Sequence, residues 1–473
     1  MSKLIKNTTI YTIGRVLPQA ANFLLLPLYT RFLTPADYGI VNSMHLLATI
    51  LLLLFSLYVD RAVYRLYYDY KTTEEKRDYL GTTLIFIVCL SVFVLFFLFL
   101  VKDYIGLIYK TIDFYPYYYY MIIGAFFRVF SLVPKVYFQV KEKASVFISL
   151  SLLEFVLTTS LILLYVVGFG AGAVGMLKAS AFSALLVTPI YFVISLKMIN
   201  FKLDFGILKS ILHYSLPLVP TAVAAWILNL SDRIFIERYF SMSDVGIYSL
   251  GYKVAGIVLI FTAAFNQAYN PVFFKLANSE DQDEAKKKLY RYNNIFISIT
   301  LLIFFVITIF SKEVIVVLLD PKYRESYKIV PIIAFAYLIS QVSGLLNLFM
   351  GQEKKNIQLM YMIIFSAFLN IGLNFLLIPI FGVYGAGYAT VLSFMVMFIV
   401  QYWYSKRCYF IEFNWKRLVP LGALLGGLVV LFQYILEYDL LVMFVLKVAV
   451  LGIIAAVFMK KHYWYIKSIL LRK

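Results

Sequence analysis

The sequence predicts an all-α, polytopic membrane protein of about 14 transmembrane helices: two six-helix lobes related by an internal repeat, plus two C-terminal helices. Three observations predict it. The composition is too apolar for a soluble domain, the apolar residues fall into stretches of bilayer-spanning length, and a ten-residue segment recurs about two hundred residues later. Of 473 residues, 62% are hydrophobic and 14% charged, whereas soluble domains run at roughly 45–50% apolar and about 25% charged. A mean hydropathy of +0.85 also excludes a disordered chain, which needs low hydrophobicity.

A helix crosses the hydrocarbon core with about 20 apolar residues. Stretches of that kind, bounded by charge, Pro or Gly, run over 8–30, 40–59, 82–101, 117–136, 144–167, 171–195 and 212–230. They continue over 245–269, 293–319, 327–350, 356–380, 383–404, 418–436 and 440–459. The first follows Lys3 and Lys6 and resembles a secretory signal. Arg15, Pro18 and Gln19 interrupt it too early for such a signal, so it is expected to be a retained span. The third is the clearest, with no charge between Leu84 and Val101. The first and seventh carry polar residues and paired prolines, Pro18 with Pro27 and Pro217 with Pro220.

The formal charge of +18 would suggest nucleic acid in a soluble protein. Here 29 of the 43 Lys and Arg fall on the N-terminal side of the connections and 9 on the opposite side. That asymmetry orients helices and predicts that both termini are cytoplasmic. It removes the nucleic-acid reading. The Lys286-Lys287-Lys288 cluster on the cytoplasmic side is explained by anionic lipid at that leaflet. Interfacial aromatics explain the run Tyr117 to Tyr120.

Residues 31–40 read RFLTPADYGI and residues 238–247 read RYFSMSDVGI, an offset of 207. A second echo, Phe169-Gly170 with Gly175 against Phe381-Gly382 with Gly387, recurs at an offset of 212. Two echoes at nearly one offset define repeats of six spans each, which have the same orientation because six is even. The expected organisation is an N-lobe over 1–210, a C-lobe over 211–405, and two further spans with a cytoplasmic C-terminus over 406–473.

Cys89 and Cys408 form no CxxC pair, and His45, His213 and His462 have no HExxH spacing, so no metal or other cofactor is expected. GAGAVG at 170–175 matches the dinucleotide fingerprint GxGxxG, yet lies in a turn between two spans without a preceding strand. Close packing and left-handed turn conformations account for it. No GxxxxGK[ST] loop exists, so ATP is not expected to bind directly.

Five cations fall inside spans: Arg15, Arg128, Lys178, Lys253 and Lys447. Each costs on the order of 2.5–3.5 kcal/mol at a helix centre, so they call for water, acidic partners or an anionic ligand. Arg15 and Arg128 lie about 10 Å and about 12 Å from the inner boundary, and Lys178 and Lys253 about 10–12 Å from the outer one. Facing a common cavity, Arg15, Lys253, Lys178 and Arg128 would bind a phosphate or pyrophosphate, with Arg offering a bidentate fork. Glu154 lies at nearly the depth of Arg128 and could instead form an ion pair with it or carry a coupling proton. The lysines could also snorkel. Proline-interrupted spans in corresponding positions of two repeats point to a substrate site. Gln19, Asn22, Trp226 and Asn229 would then line the cavity, unless they serve only interhelical hydrogen bonding.

The residues PLYTRFLTPADYG (27–39), SLPLVPTAVAAWILNLSDRIFI (215–236), DVGIYSLGYKV (244–254) and FGVYGAGYATVLS (381–393) resemble the polysaccharide-transporter branch of the multidrug, oligosaccharidyl-lipid and polysaccharide exporter superfamily. The resemblance implies a flippase of the bacterial cytoplasmic membrane for O-antigen, capsule or exopolysaccharide. Such a carrier moves undecaprenyl-pyrophosphate-linked repeat units to the periplasmic leaflet by alternating access. Its expected partners are the lipid-linked oligosaccharide, membrane lipids and the polysaccharide polymerase and glycosyltransferase machinery. Coupling would be to protons, Na+ or the membrane potential. Spans 13 and 14 are similar to those of peptidoglycan-precursor flippases, where a lateral groove holds the prenyl chain, and Lys447 would be the residue to inspect there. A peptidoglycan-precursor flippase and a cation-coupled drug exporter are the alternatives. The exporter would place acids in the first and seventh spans, where this chain has Arg15 and a terminal Asp232. A membrane enzyme such as a polymerase would need a large periplasmic loop.

Overall fold

The computed structural model describes residues 17–456, apart from Gln19, Glu437, Tyr438, Leu440 and Ala455. The described chain is helical and divides into two compact units, the first holding residues up to 250 with 355–400, the second 251–354 with residues from 401 on. Among the described residues, twelve helices are long and apolar enough to cross a membrane, and they coincide with spans two to thirteen of the sequence. The first span is described only from Leu17, and the last as a shorter apolar helix, Leu441–Ile454.

In the first unit the chain turns at Leu25 and re-enters helix α1 (Leu26–Phe32) with Pro27 in its first turn. Helix α2 (Pro35–Ser56) starts from a capping box: Thr34 Oγ1 accepts from the Asp37 amide at 3.1 Å while the Asp37 carboxylate accepts from the Thr34 amide at 3.1 Å. Two left-handed residues, Leu57 and Tyr58, end it and lead into α3 (Val59–Leu66). Helix α4 (Thr73–Leu100) repeats the device with Thr72 and Glu75. It is followed by α5 (Tyr119–Val140), α6 (Ala144–Ile162) and α7 (Gly172–Met198). The seventh span is split as its prolines predict: α8 (Phe205–Ser215), a 3₁₀ turn at Leu216–Leu218, then α9 (Val219–Leu230). A short α10 (Asp232–Tyr239) precedes α11 (Met242–Ala255), whose residues from Gly251 on belong to the second unit.

The sequence repeat meets itself in this unit. A Cβ on Gly39 would lie 2.1 Å from the Met242 carbonyl oxygen and 3.0 Å from the Gly246 nitrogen. One on Gly246 would lie 1.9 Å from the Pro35 carbonyl oxygen and 3.2 Å from the Gly39 nitrogen. Pro35 and Met242 are themselves equivalent at the repeat offset, so α2 and α11 meet reciprocally, as two copies of one surface do about a two-fold axis. Only glycine permits that backbone approach. Ser241 and Asp244 reproduce the cap of Thr34 and Asp37, with the Asp244 amide donating to Ser241 Oγ at 3.2 Å. The second echo is a repeated turn, Gly170 at φ +62° and Gly382 at φ +63°, conformations that side chains rarely adopt. In GAGAVG the residues before the turn are helical, and the Ala173 amide donates to Asp37 Oδ1 at 3.2 Å. A carboxylate of the chain itself thus takes the place a phosphate would need.

The second unit contains α12 (Ile257–Ala277), α13 (Gln282–Ile309), α14 (Ser311–Leu318) and α15 (Val330–Gln352). Helix α16 (Asn356–Phe381) belongs to the first unit, α17 (Val383–Ser405) ends in the second, and α18 (Trp415–Val430) and α19 (Leu441–Ile454) complete it.

Candidate functional site

Polar side chains of α5, α6 and α7 converge on a cavity of about 310 Å³ inside the first unit. Arg128, Ser131 and Lys135 share one face of α5, spaced three or four residues apart. Glu154 and Thr158 are one turn apart on α6, and α7 contributes Ser180, Ser183 and Tyr191. The walls between them are apolar, among them Leu52, Phe127 and Val187.

The hydrogen bonds are specific. Lys135 Nζ donates to Glu154 Oε2 at 2.7 Å and Tyr191 Oη to Glu154 Oε1 at 2.6 Å, so both carboxylate oxygens are satisfied. Arg128 donates to Ser180 Oγ at 2.5 Å, and Thr158 and Ser183 share a hydrogen bond of 2.6 Å. A guanidinium carries five N–H donors, and Ser180 occupies one. The same side chain lines a second, much smaller cavity with Met44, Tyr120 and Leu177. The cavity therefore offers a cationic fork, several hydroxyls and an exchangeable ion pair within hydrocarbon-facing helices, the chemistry that accepts a phosphate-bearing, hydroxyl-rich headgroup.

The expected ion pair of Arg128 with Glu154 is corrected: the two residues line one cavity, but the partner of Glu154 is Lys135. Lys135 stands at the very end of the fourth apolar stretch, where it counts as a connection charge. Its signal was the spacing of seven residues from Arg128, two turns along the same face. Lys178 does not join the cavity. Its ammonium lies 4.9 Å from the Tyr165 ring centre and 5.8 Å from that of Phe182, a cation–π arrangement on another face of α7. Trp226 donates its indole N–H to the Leu46 carbonyl at 3.0 Å, and Asn229 donates to the Ala225 carbonyl at 2.8 Å. Trp226 thus packs against α2, Asn229 bonds back onto its own helix, and neither lines this cavity. Asn22 is exposed. Arg15 and Gln19 lie outside the described residues. Lys253, in the second unit, is half-buried and has no acidic partner among the described residues. Lys447 presents no ammonium to a lipid groove: its side chain is 0% exposed and donates to Glu313 at 2.6 Å.

A second buried polar cluster surrounds α10. Asp232 accepts from Arg233 Nη1 at 2.6 Å and from the Tyr248 hydroxyl at 2.5 Å, and Glu237 accepts from both the amide and the hydroxyl of Thr111 at 2.9 Å and 2.8 Å. It ties the connection ahead of α5 to α10 and α11, next to the reciprocal glycine contact.

Comparison with known proteins gives a consistent picture. The fold is similar to that of a lipid II flippase MurJ in an inward closed conformation, with a TM-score of 0.72 at 13% identity over 97% of this chain and 99% of that one. It is also similar to an inward-facing multidrug resistance MATE family transporter of the MOP superfamily, with a TM-score of 0.67 at 15% identity over 88% of this chain and 96% of the other. In sequence the chain is 24% identical, over 219 residues, to the probable low-salt glycan biosynthesis flippase Agl15 of Haloferax volcanii. That match covers 46% of each chain, so this chain spans about half the length of that curated relative. A family model described as MatE matches residues 217–376. Another, described as polysaccharide biosynthesis protein, matches residues 4–277, more than half of the sequence. The chain is thus a multi-pass membrane protein that belongs to the polysaccharide biosynthesis protein family.

Proposed function

We propose that this protein is a flippase, and not an enzyme, that carries undecaprenyl-pyrophosphate-linked oligosaccharide repeat units from the cytoplasmic to the outer leaflet of the bacterial cytoplasmic membrane by alternating access. The observation that carries the reading is the cavity of Arg128, Lys135 and Glu154, a polar cationic chamber inside apolar helices of a polysaccharide biosynthesis protein. At about 310 Å³ it suits the pyrophosphate and the first sugar, while the prenyl chain stays in hydrocarbon. Arg128 takes the phosphate oxygens, the hydroxyls of Ser131, Thr158 and Ser183 face the sugar, and Lys135 exchanges Glu154 for the anion. Glu154, released, is then free to take a proton, which would couple transport to pH. The reciprocal contact of Gly39 with Gly246 supports two six-span lobes that separate and rejoin at that end. The charge asymmetry of 29 to 9 supports cytoplasmic termini, with that end on the outer side.

The test is flipping of a fluorescent undecaprenyl-pyrophosphate oligosaccharide in proteoliposomes, with wild type, Arg128→Ala and Lys135→Ala compared after their melting curves are matched. Saturable flipping that both variants lose supports the proposal. Absence of flipping by wild type, or equal flipping by all three, overturns it. Lipid II in the same assay separates the peptidoglycan-precursor alternative, since both substrates carry the pyrophosphate and only sugar and peptide differ.

A further inference from the structure

The second unit contains a larger cavity, about 700 Å³, that the transport reading does not use. One wall is the first three turns of α13, where Lys286, Lys287, Tyr290 and Arg291 line it; the other is the segment ahead of α18, with Glu412, and the first turn of α18, with Arg417. Four cations against one carboxylate give a local excess of positive charge. Its apolar floor is Ile295, Phe410 and Ile411.

The walls are held in place by the chain. Asn294, nearly buried, accepts from the Asn414 amide at 2.8 Å and donates to the Tyr290 carbonyl at 2.7 Å, which fixes α13 against the connection. At the other end the Tyr409 hydroxyl donates to Gln282 Oε1 at 3.0 Å, and Lys286 Nζ lies 5.6 Å over the Tyr409 ring. Phe410 and Phe413 pack on Phe349 from beneath. The three consecutive lysines are thereby divided. Lys288 is turned away, paired with Glu284 at 2.5 Å, while Lys286 and Lys287 face the cavity. General attraction of a basic cluster to a charged leaflet would not require that division.

We propose that this cavity is a binding site for the phosphate headgroup of an anionic bilayer lipid. A basic rim over an apolar floor, beside spans and on the side that the charge count assigns to the cytoplasm, matches an amphiphile whose phosphate meets Lys286, Lys287, Arg291 and Arg417 while its acyl chains leave along the apolar surface. A soluble phosphate would use the rim and leave the floor unused.

The experiment is a binding titration of fluorescent phosphatidylglycerol against the full chain in neutral detergent, with phosphatidylcholine and inorganic pyrophosphate as competitors. Saturable binding is expected, weakened about fivefold per removed charge in Lys286→Gln and Lys287→Gln, and unchanged in Lys288→Gln. Glu412→Gln removes the one opposing charge and should tighten binding, which decides the matter even where a lysine variant folds poorly. Equal affinity across these variants, or equal competition by phosphatidylcholine, overturns the site. Displacement by pyrophosphate as effective as that by lipid reassigns the cavity to a soluble phosphate and overturns the lipid.

Discussion

The two units each enclose an acid–lysine pair inside apolar helices, and the pairs differ in the property that matters for chemistry. In the second unit Lys447 and Glu313 are 0% and 6% exposed, sealed between α14 and α19, with Glu313 Oε2 buried and without a hydrogen-bond partner among the described residues. Gln433 nearby spends its amide on the Thr308 carbonyl at 2.6 Å and Ser311 Oγ at 3.1 Å. In the first unit Lys135 and Glu154 are 26% and 29% exposed, line a cavity, and leave no carboxylate oxygen unsatisfied. A sealed pair has no third party to exchange with, so removing one member strands a charge. A cavity pair can trade its partner for water, a proton or a ligand anion. Intramembrane charge is therefore a sign of function only where it also meets space.

The largest effect that tests this contrast is in the sealed pair. Lys447→Met should cost about 3–5 kcal/mol by stranding Glu313, and Glu313→Gln with Lys447→Met should recover most of it; denaturant unfolding in detergent measures both. A loss no greater than that of the cavity pair would break the contrast. Next, Lys135→Met should lower stability by about 1 kcal/mol or less, since partly solvated pairs contribute little, while flipping in proteoliposomes falls at least about tenfold, the loss expected when an anion contact is removed. Arg128→Lys keeps the charge but loses the planar fork, so flipping should fall a few-fold with an unchanged melting curve. Rates equal to wild type would make Arg128 a mere point charge.

The smallest effect sharpens the comparison with a carboxyl outside the spans, Asp60, whose cationic neighbour is Arg61 at 3.9 Å. Burial holds Asp60 above the ordinary aspartate range, against the lowering influence of Arg61. A raised native pKa in an acid means that the ionised form costs stability at neutral pH. That cost is relieved as pH falls through the raised value toward the unfolded one. Asp60→Asn should accordingly raise the melting temperature by about one degree at pH 7 and have no effect once both states are protonated.

The spans were legible because each is a local property: hydropathy over about 20 residues decides whether a segment enters hydrocarbon, and once there the backbone has to satisfy its own hydrogen bonds as a helix. Caps such as Thr34 with Asp37 and the split of the seventh span at Pro217 and Pro220 are local in the same way. The repeat of 31–40 at 238–247 was visible as letters, Gly39 and Gly246 among them, but not the close approach these two glycines make. The charged partners were less legible. Arg128 and Glu154 stand at similar depths, yet depth along a helix says nothing of azimuth, and Lys135, two turns from Arg128, is the residue that reaches the carboxylate. Lys178 shows the same gap, since its rotation around α7 directs it to Tyr165 and Phe182.

By itself, then, the sequence determined what the bilayer acts on directly: an all-helical membrane chain, where its helices run, which turns separate them, and a repeated ten-residue segment. Only the tertiary structure decided that the two copies of that segment meet reciprocally through Gly39 and Gly246, that Lys447 is sealed against Glu313, and that Lys135 and Arg128 share a cavity. Hydrophobic partition depends on the residues of one segment. Ion pairs and cavities depend on how helices rotate and pack against one another, which neither composition nor spacing specifies.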